Sequence, residues 1–256
     1  KMFSNRYIYI YASVMVIIVA AALSTASELL KPYQNKNIEN EKFQGILSAA
    51  EVDVPRSQAN EAFEEYIVEE LAINSEGDVV CRYVDGKLIE GDVRPFSIVL
   101  KEELKLKKDF KYGKAKRNPK WPLYIMDIGG ELKYVVPLQG VGLWGAIWGN
   151  IAFDSDFNTV AGTSFDHKSE TPGLGAEINT KEFQNQFKGK QIFDQNGNFV
   201  SVSVVKGGVA NSAINPIHGV DAVSGGTITS NGTSEMLKDC IENYVSYIKK
   251  NINNNE

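Results

Sequence analysis

The spacing of apolar positions changes three times along this chain. Over 7–26 they are nearly continuous: YIYIYASVMVIIVAAALSTA holds twenty residues without a charge. At 1.5 Å per residue such a helix spans about 30 Å, the hydrocarbon thickness of a bilayer. Small residues at Ala20, Ala21, Ala22 and Ala26 make a cleaved signal peptide the rival reading. The run is longer than the roughly 7–15 apolar residues of such signals, so we read a retained anchor. Beyond it, Leu29, Leu30, Tyr33, Ile38, Phe43, Ile46 and Leu47 keep helical spacings, and the helix continues or restarts with Pro32 at the joint. A second helix is predicted over 57–73, with Phe63, Tyr66, Ile67 and Leu71 on one face.

From residue 78 the pattern shortens to β-branched and aromatic runs. DVVCRYV and FSIVL read as strands, separated by turns at Asp85-Gly86 and Gly91-Asp92. YIMDI, KYVVPL, GAIWGNIAF and TVAGTSF follow as further strands, and FVSVSVV (199–205) alternates like a half-buried one. The segment 101–117, with eight basic and three acidic residues, reads as a solvated hairpin or edge, with a partner-docking surface as the alternative. Helices are predicted over 180–187 and 230–251, the latter with Met236, Leu237, Ile241, Tyr244, Val245 and Ile248 on its apolar face. The fold class is therefore α+β: one transmembrane helix, then a mixed domain with a strand-rich centre and helices at both ends. The divisions are 1–27 for the stub and anchor, 28–77 for a helical connecting region and 78–256 for the strand-rich domain. There is no internal repeat, and the one low-complexity stretch is the polar tail 253–256.

Charge adds an orientation. Lys1 and Arg6 precede the span and Tyr7, Tyr9 and Tyr11 sit at its start, so the positive-inside rule places the N-terminus in the cytoplasm and the main domain outside it. With 27 Lys+Arg against 32 Asp+Glu, the net charge is −5. The basic run lacks interleaved aromatics for stacking bases, so nucleic acid is not an expected partner. Two cysteines, Cys81 and Cys240, and two histidines, His167 and His218, cannot form a four-cysteine cluster and show no zinc-ligand spacing. No metal site is expected, and both cysteines are read as free and structural.

No nucleophile triad, P-loop or dinucleotide fingerprint is present, and no catalytic residue is expected. Three segments carry the candidate chemistry. Asp221-Ala222-Val223-Ser224-Gly225-Gly226-Thr227 is a loop of small residues opening into the C-terminal helix, where free amides favour an anion such as phosphate. Read as a plain turn, it would have Thr229 or Ser230 as the helix cap. ETPGLG (170–175) is a loop displaying Glu170 and Leu174, and GVGLWGAIWG (140–149) places Trp144 and Trp148 among glycines. Core packing and a flat aromatic ligand both remain open for the tryptophans.

The stretch 221–227 resembles the D-x-x-S/T-G-A-T motif of the FMN-binding family of bacterial membrane redox proteins. In that family the flavin phosphate is esterified to the last Thr, which maps onto Thr227, and Asp221 falls at the recognition position of the motif. One departure stands out: Gly226 replaces the usual Ala, and because Gly is smaller and more permissive, flavinylation is expected to survive. The anchor, GLW at 142–144, ETPGLG and the motif occur in the order found in the NqrC branch, from Na+-translocating NADH:quinone oxidoreductases. The sibling branch is the G-type subunit of the RNF ferredoxin:NAD complexes. An insertion-like region over 53–120 favours the longer NqrC branch. The resemblance implies covalent FMN on Thr227, with Ser224, Gly225 and Gly226 at the phosphate and Trp144, Glu170, Thr171 and Leu174 around the isoalloxazine. It further implies electron relay from an iron–sulfur centre to a flavin in a membrane subunit, partner subunits of a redox complex in the inner membrane, and a flavin transferase for maturation. A flavin-free, membrane-anchored scaffold is the alternative of a different class.

Overall fold

The computed structural model describes residues 4–251. Lys1, which contributes to the basic flank, and the polar tail 253–256 lie outside the described residues. By compactness the chain forms two units, Lys1–Lys42 and Phe43–Glu256. A single helix, α1, runs Asn5–Ala49, with Pro32 inside it, so the helix continues through the joint without restarting. Its N-terminal part is long and apolar enough to cross a membrane.

The second unit is built on a seven-stranded sheet of order β3-β2-β1-β4-β5-β6-β7, antiparallel at every pairing. The strands are β1 Ile67–Ile73, β2 Val79–Val84, β3 Lys87–Glu90, β4 Trp121–Ile128, β5 Glu131–Val141, β6 Ala146–Phe153 and β7 Val160–His167. Strand alternation buries both faces. Leu123, Ile125, Val136, Ile151 and Phe153 enter one core with the C-terminal helices. Their neighbours Tyr124, Met126, Val135 and Ala152 enter a second core, with Phe43, Ile46 and Leu47 of α1, Phe63 of α2 (Ala59–Tyr66) and Phe96. A sheet covered on both sides reads as nearly continuous apolar runs, which is why YIMDI and KYVVPL are so legible.

Four expectations need correction. The helix predicted over 57–73 ends at Tyr66, and the β-branched run that begins Ile67-Val68 becomes β1, paired with both β2 and β4. FSIVL is not a strand: Pro95–Ser97 is a 3-10 turn, and the Phe96 amide donates to Glu70 Oε2 at 3.1 Å. The basic segment is a helix, α3 Leu100–Lys111, anchored on the core by Leu100 and Leu104 one turn apart. Glu102 and Glu103 in its first turn and Lys108 and Lys111 in its last complement the helix dipole. FVSVSVV supplies only the short β8 Ser203–Val205, because Ser201 adopts a left-handed φ of 63°.

The rest of the chain closes the domain. α4 is Lys181–Asn185, capped by the Thr180 side chain. β8 pairs in parallel with β9 Gly219–Asp221, bringing Val205 opposite Asp221. α5 Thr227–Ile241 and α6 Val245–Asn251 follow. α5 packs on β5 so closely that a Cβ on Gly232 would collide with the Val141 carbonyl oxygen.

Candidate functional site

Three segments far apart in sequence meet beside the start of α5. The first is the β5–β6 hairpin turn, closed by Gly142 N–H donating to Gly145 O at 2.8 Å. The second is the loop leaving β7, which contains ETPGLG. The third is the glycine-rich link from β9 to α5.

α5 begins at Thr227, three residues before the predicted start, with Gly226 as a cap that has no side chain to donate or accept. Thr229 and Ser230, candidates for the cap in the plain-turn reading, lie inside the first turn. The earliest helical bond runs from Ser230 N–H to Gly226 O at 2.9 Å. The amides of Thr227, Ile228 and Thr229 therefore have no acceptor among the described residues. A helix N-terminus of this kind presents a cluster of donors and a partial positive charge. Thr227 is half-buried there, Ser224 and Gly225 are exposed, and Gly226 is buried.

The link keeps its shape through bonds at both ends. Asp221 Oδ1 accepts from the Val209 amide at 2.7 Å, and the Asp221 amide donates to Gln186 Oε1 at 2.9 Å. Inside the helix, Ser230 Oγ accepts from the Val223 amide at 3.2 Å. Gly225 has φ +74°, which favours glycine, and a Cβ there would push aside the tip of the exposed Leu174 side chain, 2.5 Å away at Cδ2.

The ETPGLG loop grips its two neighbours. Glu170 is only 5% exposed. Its Oε1 accepts from the Trp144 amide at 2.8 Å, and its Oε2 accepts from the Thr229 hydroxyl at 2.6 Å. Ser169 Oγ donates to the Trp144 carbonyl at 3.1 Å, so both backbone polar atoms of Trp144 are held while its indole stays 66% exposed. Leu143, Leu174 and Ile228 are also exposed, which leaves apolar side chains in solvent around the donor cluster. Thr171 is exposed, and its carbonyl accepts from the Leu174 and Ala176 amides.

All nine residues predicted for the site thus lie on these three segments. Thr229, expected only as a helix cap, and Gly142 and Gly175, quoted only within their segments, were not expected to act in the site. A Cβ on Gly175 would sit 2.5 Å from both Glu170 Oε2 and Thr229 Oγ1, and one on Gly142 would sit 2.6 Å from Glu170 Oε1. These glycines make room for a buried carboxylate, and the signal available in sequence was only their flanking of Trp144 and Leu174. Trp148 stands apart on β6, half-buried opposite Asp166 and Gln139. Both cysteines are free and buried, and burial pushes the Cys240 thiol, at the far end of α5, up to about 12.

The arrangement can hold a phosphate at the open amides and an aromatic system against the exposed apolar side chains. A cavity of about 340 Å³ lies elsewhere, lined by Ser48, Lys181 and Lys188 among others.

Comparison with known proteins bears on the same region. The family model of an FMN-binding domain matches residues 142–242, which takes in all three segments. The chain is 32% identical over 219 residues to the C subunit of the Na(+)-translocating NADH-quinone reductase of Vibrio campbellii, covering 84% of this chain and 82% of that one. The C subunit of the Haemophilus ducreyi enzyme is 31% identical over 226 residues, or 87% and 84% of the two chains. Among solved structures, the Parabacteroides distasonis C subunit superposes with a TM-score of 0.69 at 37% identity, over 86% of this chain and 96% of that one. NqrC of Shewanella oneidensis does so with a TM-score of 0.59 at 30% identity, over 83% and 98%.

Proposed function

The chain belongs to the NqrC family, the C subunits of Na(+)-translocating NADH-quinone reductases, and from that premise we propose that it carries FMN covalently on Thr227 and relays electrons within a sodium-translocating membrane complex. The observation that supports the proposal is the placement of Thr227 as the first residue of α5, where its amide and those of Ile228 and Thr229 have no acceptor among the described residues.

The residues present fit the group. The amides of Thr227, Ile228 and Thr229 and the helix dipole offset the charge of a phosphodiester. Gly225 and Gly226 let it approach the backbone, and the exposed faces of Trp144, Leu143 and Leu174 suit the tricyclic ring. Attachment would be a phosphoryl transfer in which the Thr227 hydroxyl gives up its proton and bonds to the flavin-side phosphorus of FAD, with AMP as the leaving group. A separate flavin transferase performs it. Bound FMN supplies the one-electron redox chemistry. The chain itself contributes attachment, orientation and a surface accessible to partner subunits. With FMN bound, the chain would serve a path between an iron–sulfur centre and a flavin in a membrane subunit, and alone it would have neither NADH nor quinone activity. α1 anchors the protein in the bacterial inner membrane with its N-terminus in the cytoplasm and the sheet domain outside.

The intact mass of the denatured protein, produced with a flavin transferase, tests this against Thr227→Ala. The expected result is an excess of one FMN minus water in the parent and none in the variant. No excess in the parent, with the transferase active on a control substrate, overturns the proposal and favours the flavin-free scaffold.

A further inference from the structure

Glu170 occupies a position that a flavin contact does not explain. Both carboxylate oxygens are engaged inside the protein, one by the Trp144 amide and one by the Thr229 hydroxyl. Its own amide donates to His167 Nδ1 at 3.2 Å. Thr229 is 2% exposed and lies two residues after Thr227 on the first turn of α5. Trp144 lies in the β5–β6 turn, 26 residues before Glu170. A carboxylate has only acceptors to offer, and here each oxygen meets a donor from a different segment. The glycines at 142 and 175 leave space for those oxygens and for nothing larger.

We propose that Glu170 is a positioning residue: it ties the Trp144 turn to the first turn of α5 and acts on the flavin through Trp144 and Thr229, without touching it. The proposal rests on the reading that Thr227 carries FMN. A glutamine at 170 keeps one acceptor, which can serve the Trp144 amide, but its amide nitrogen can only donate to the Thr229 hydroxyl, so a charge-assisted two-sided tie becomes a weaker neutral one. A valine at 229 breaks the same tie from the opposite side and reaches no flavin. Glu170→Gln and Thr229→Val must therefore disturb the flavin alike if the tie is what matters.

The test uses the full chain produced with a flavin transferase, as parent, Glu170→Gln, Thr229→Val, their double variant and Thr229→Ser. Two flavin signatures are read, the midpoint potential and the visible circular dichroism of the flavin band. Amide hydrogen exchange at Trp144 is read in a flavin-free Thr227→Ala background. The expected result is a shift in the same direction for Glu170→Gln and Thr229→Val, with the double variant no further displaced than the larger single. Thr229→Ser, which keeps the hydroxyl, should shift the flavin signatures less than Thr229→Val. Exchange at Trp144 should quicken about tenfold in Glu170→Gln, as expected when a charge-assisted hydrogen bond gives way to a neutral one. A flavin shift in Glu170→Gln with none in Thr229→Val overturns the proposal in favour of direct contact. Unchanged flavin signatures in both overturn it in favour of a purely structural bond. If the parent carries no FMN, the reading beneath the proposal falls. If the parent is flavinylated and exchange at Trp144 is unchanged, the positioning role alone falls.

Discussion

Two regions of the sheet domain bury carboxylates, and they satisfy them differently. On the β1 side, Glu70 is 2% exposed and Glu103 is 4% exposed. Glu70 is bound by Arg94 through Nε at 2.9 Å and Nη2 at 2.5 Å, and it also accepts the Phe96 amide. Glu103 is bound by Arg117 at 2.6 and 2.8 Å and accepts the Lys120 amide. At the candidate site, Glu170 is as deeply buried, yet no cation pairs with it among the described residues. It is held by a backbone amide and a hydroxyl alone.

The difference shows what each region does. An arginine beside a carboxylate compensates charge and fastens two stretches of scaffold, here β1 to the Arg94–Phe96 turn and α3 to the segment before β4. Neutral donors compensate less, so a carboxylate kept without a cation is there for geometry. A guanidinium at the site would also compete with the helix N-terminus for an anionic phosphate. In the proposed function that anion is left to the amides of α5.

The comparison breaks most visibly at Arg94. Arg94→Ala strands Glu70 in the core with one amide, and should cost about 3 kcal/mol in urea unfolding. Flavin incorporation into the folded fraction should be unchanged. Gly225→Ala should come next, at about 2 kcal/mol, because φ +74° disfavours a side chain and the new methyl meets Leu174. Here incorporation of FMN should fall as well, measured by intact mass. Glu170→Gln should cost about 1–2 kcal/mol, less than Arg94→Ala, because no buried charge is left behind. A cost equal to that of Arg94→Ala would erase the distinction between the regions.

Gly226→Ala tests the departure from the family motif. Its φ of −97° suits alanine, and the new methyl would sit 3.2 Å from Val223 Cγ1, a contact that needs a small adjustment. Reduced freedom of the unfolded chain and a poorer helix cap offset each other to within about 1 kcal/mol, with flavin incorporation unchanged. The effect that is smallest at neutral pH concerns Cys240. The unfolded thiol loses its proton near 9.0 and the folded one at about 12, so the unfolded state holds fewer protons between those values. Stability should decline as pH rises from 9 towards 12, and the native thiol should resist alkylation at pH 8.

Much of this was legible in the chain itself. The strands of 121–167 follow from alternating and continuous apolar runs, and the motif around Thr227 is recognisable residue by residue. β1 was missed because LAI at its end continues the apolar face of the preceding helix at three- and four-residue spacings. What decides for a strand is hydrogen bonding to Val79–Val84 and Trp121–Ile128, partners absent from any local window. α3 was missed because only Leu100 and Leu104 face the core, too few to announce a helical stripe. Glu170 falls in the loop that the family resemblance sets beside the flavin. That its oxygens turn inward depends on Trp144 and Thr229, which stand 26 and 59 residues away.

By itself, then, the sequence determined the apolar span, the meander of strands and the motif that ends in Thr227, because each depends on side chains within a few residues of one another. Only the tertiary structure decided which strand lies at the centre of the sheet, that α5 starts at the motif threonine, and that one buried glutamate joins two loops. Those features depend on donors and acceptors meeting across long separations in the chain. A buried carboxylate has no preferred partner until the fold excludes water and leaves two particular donors within reach.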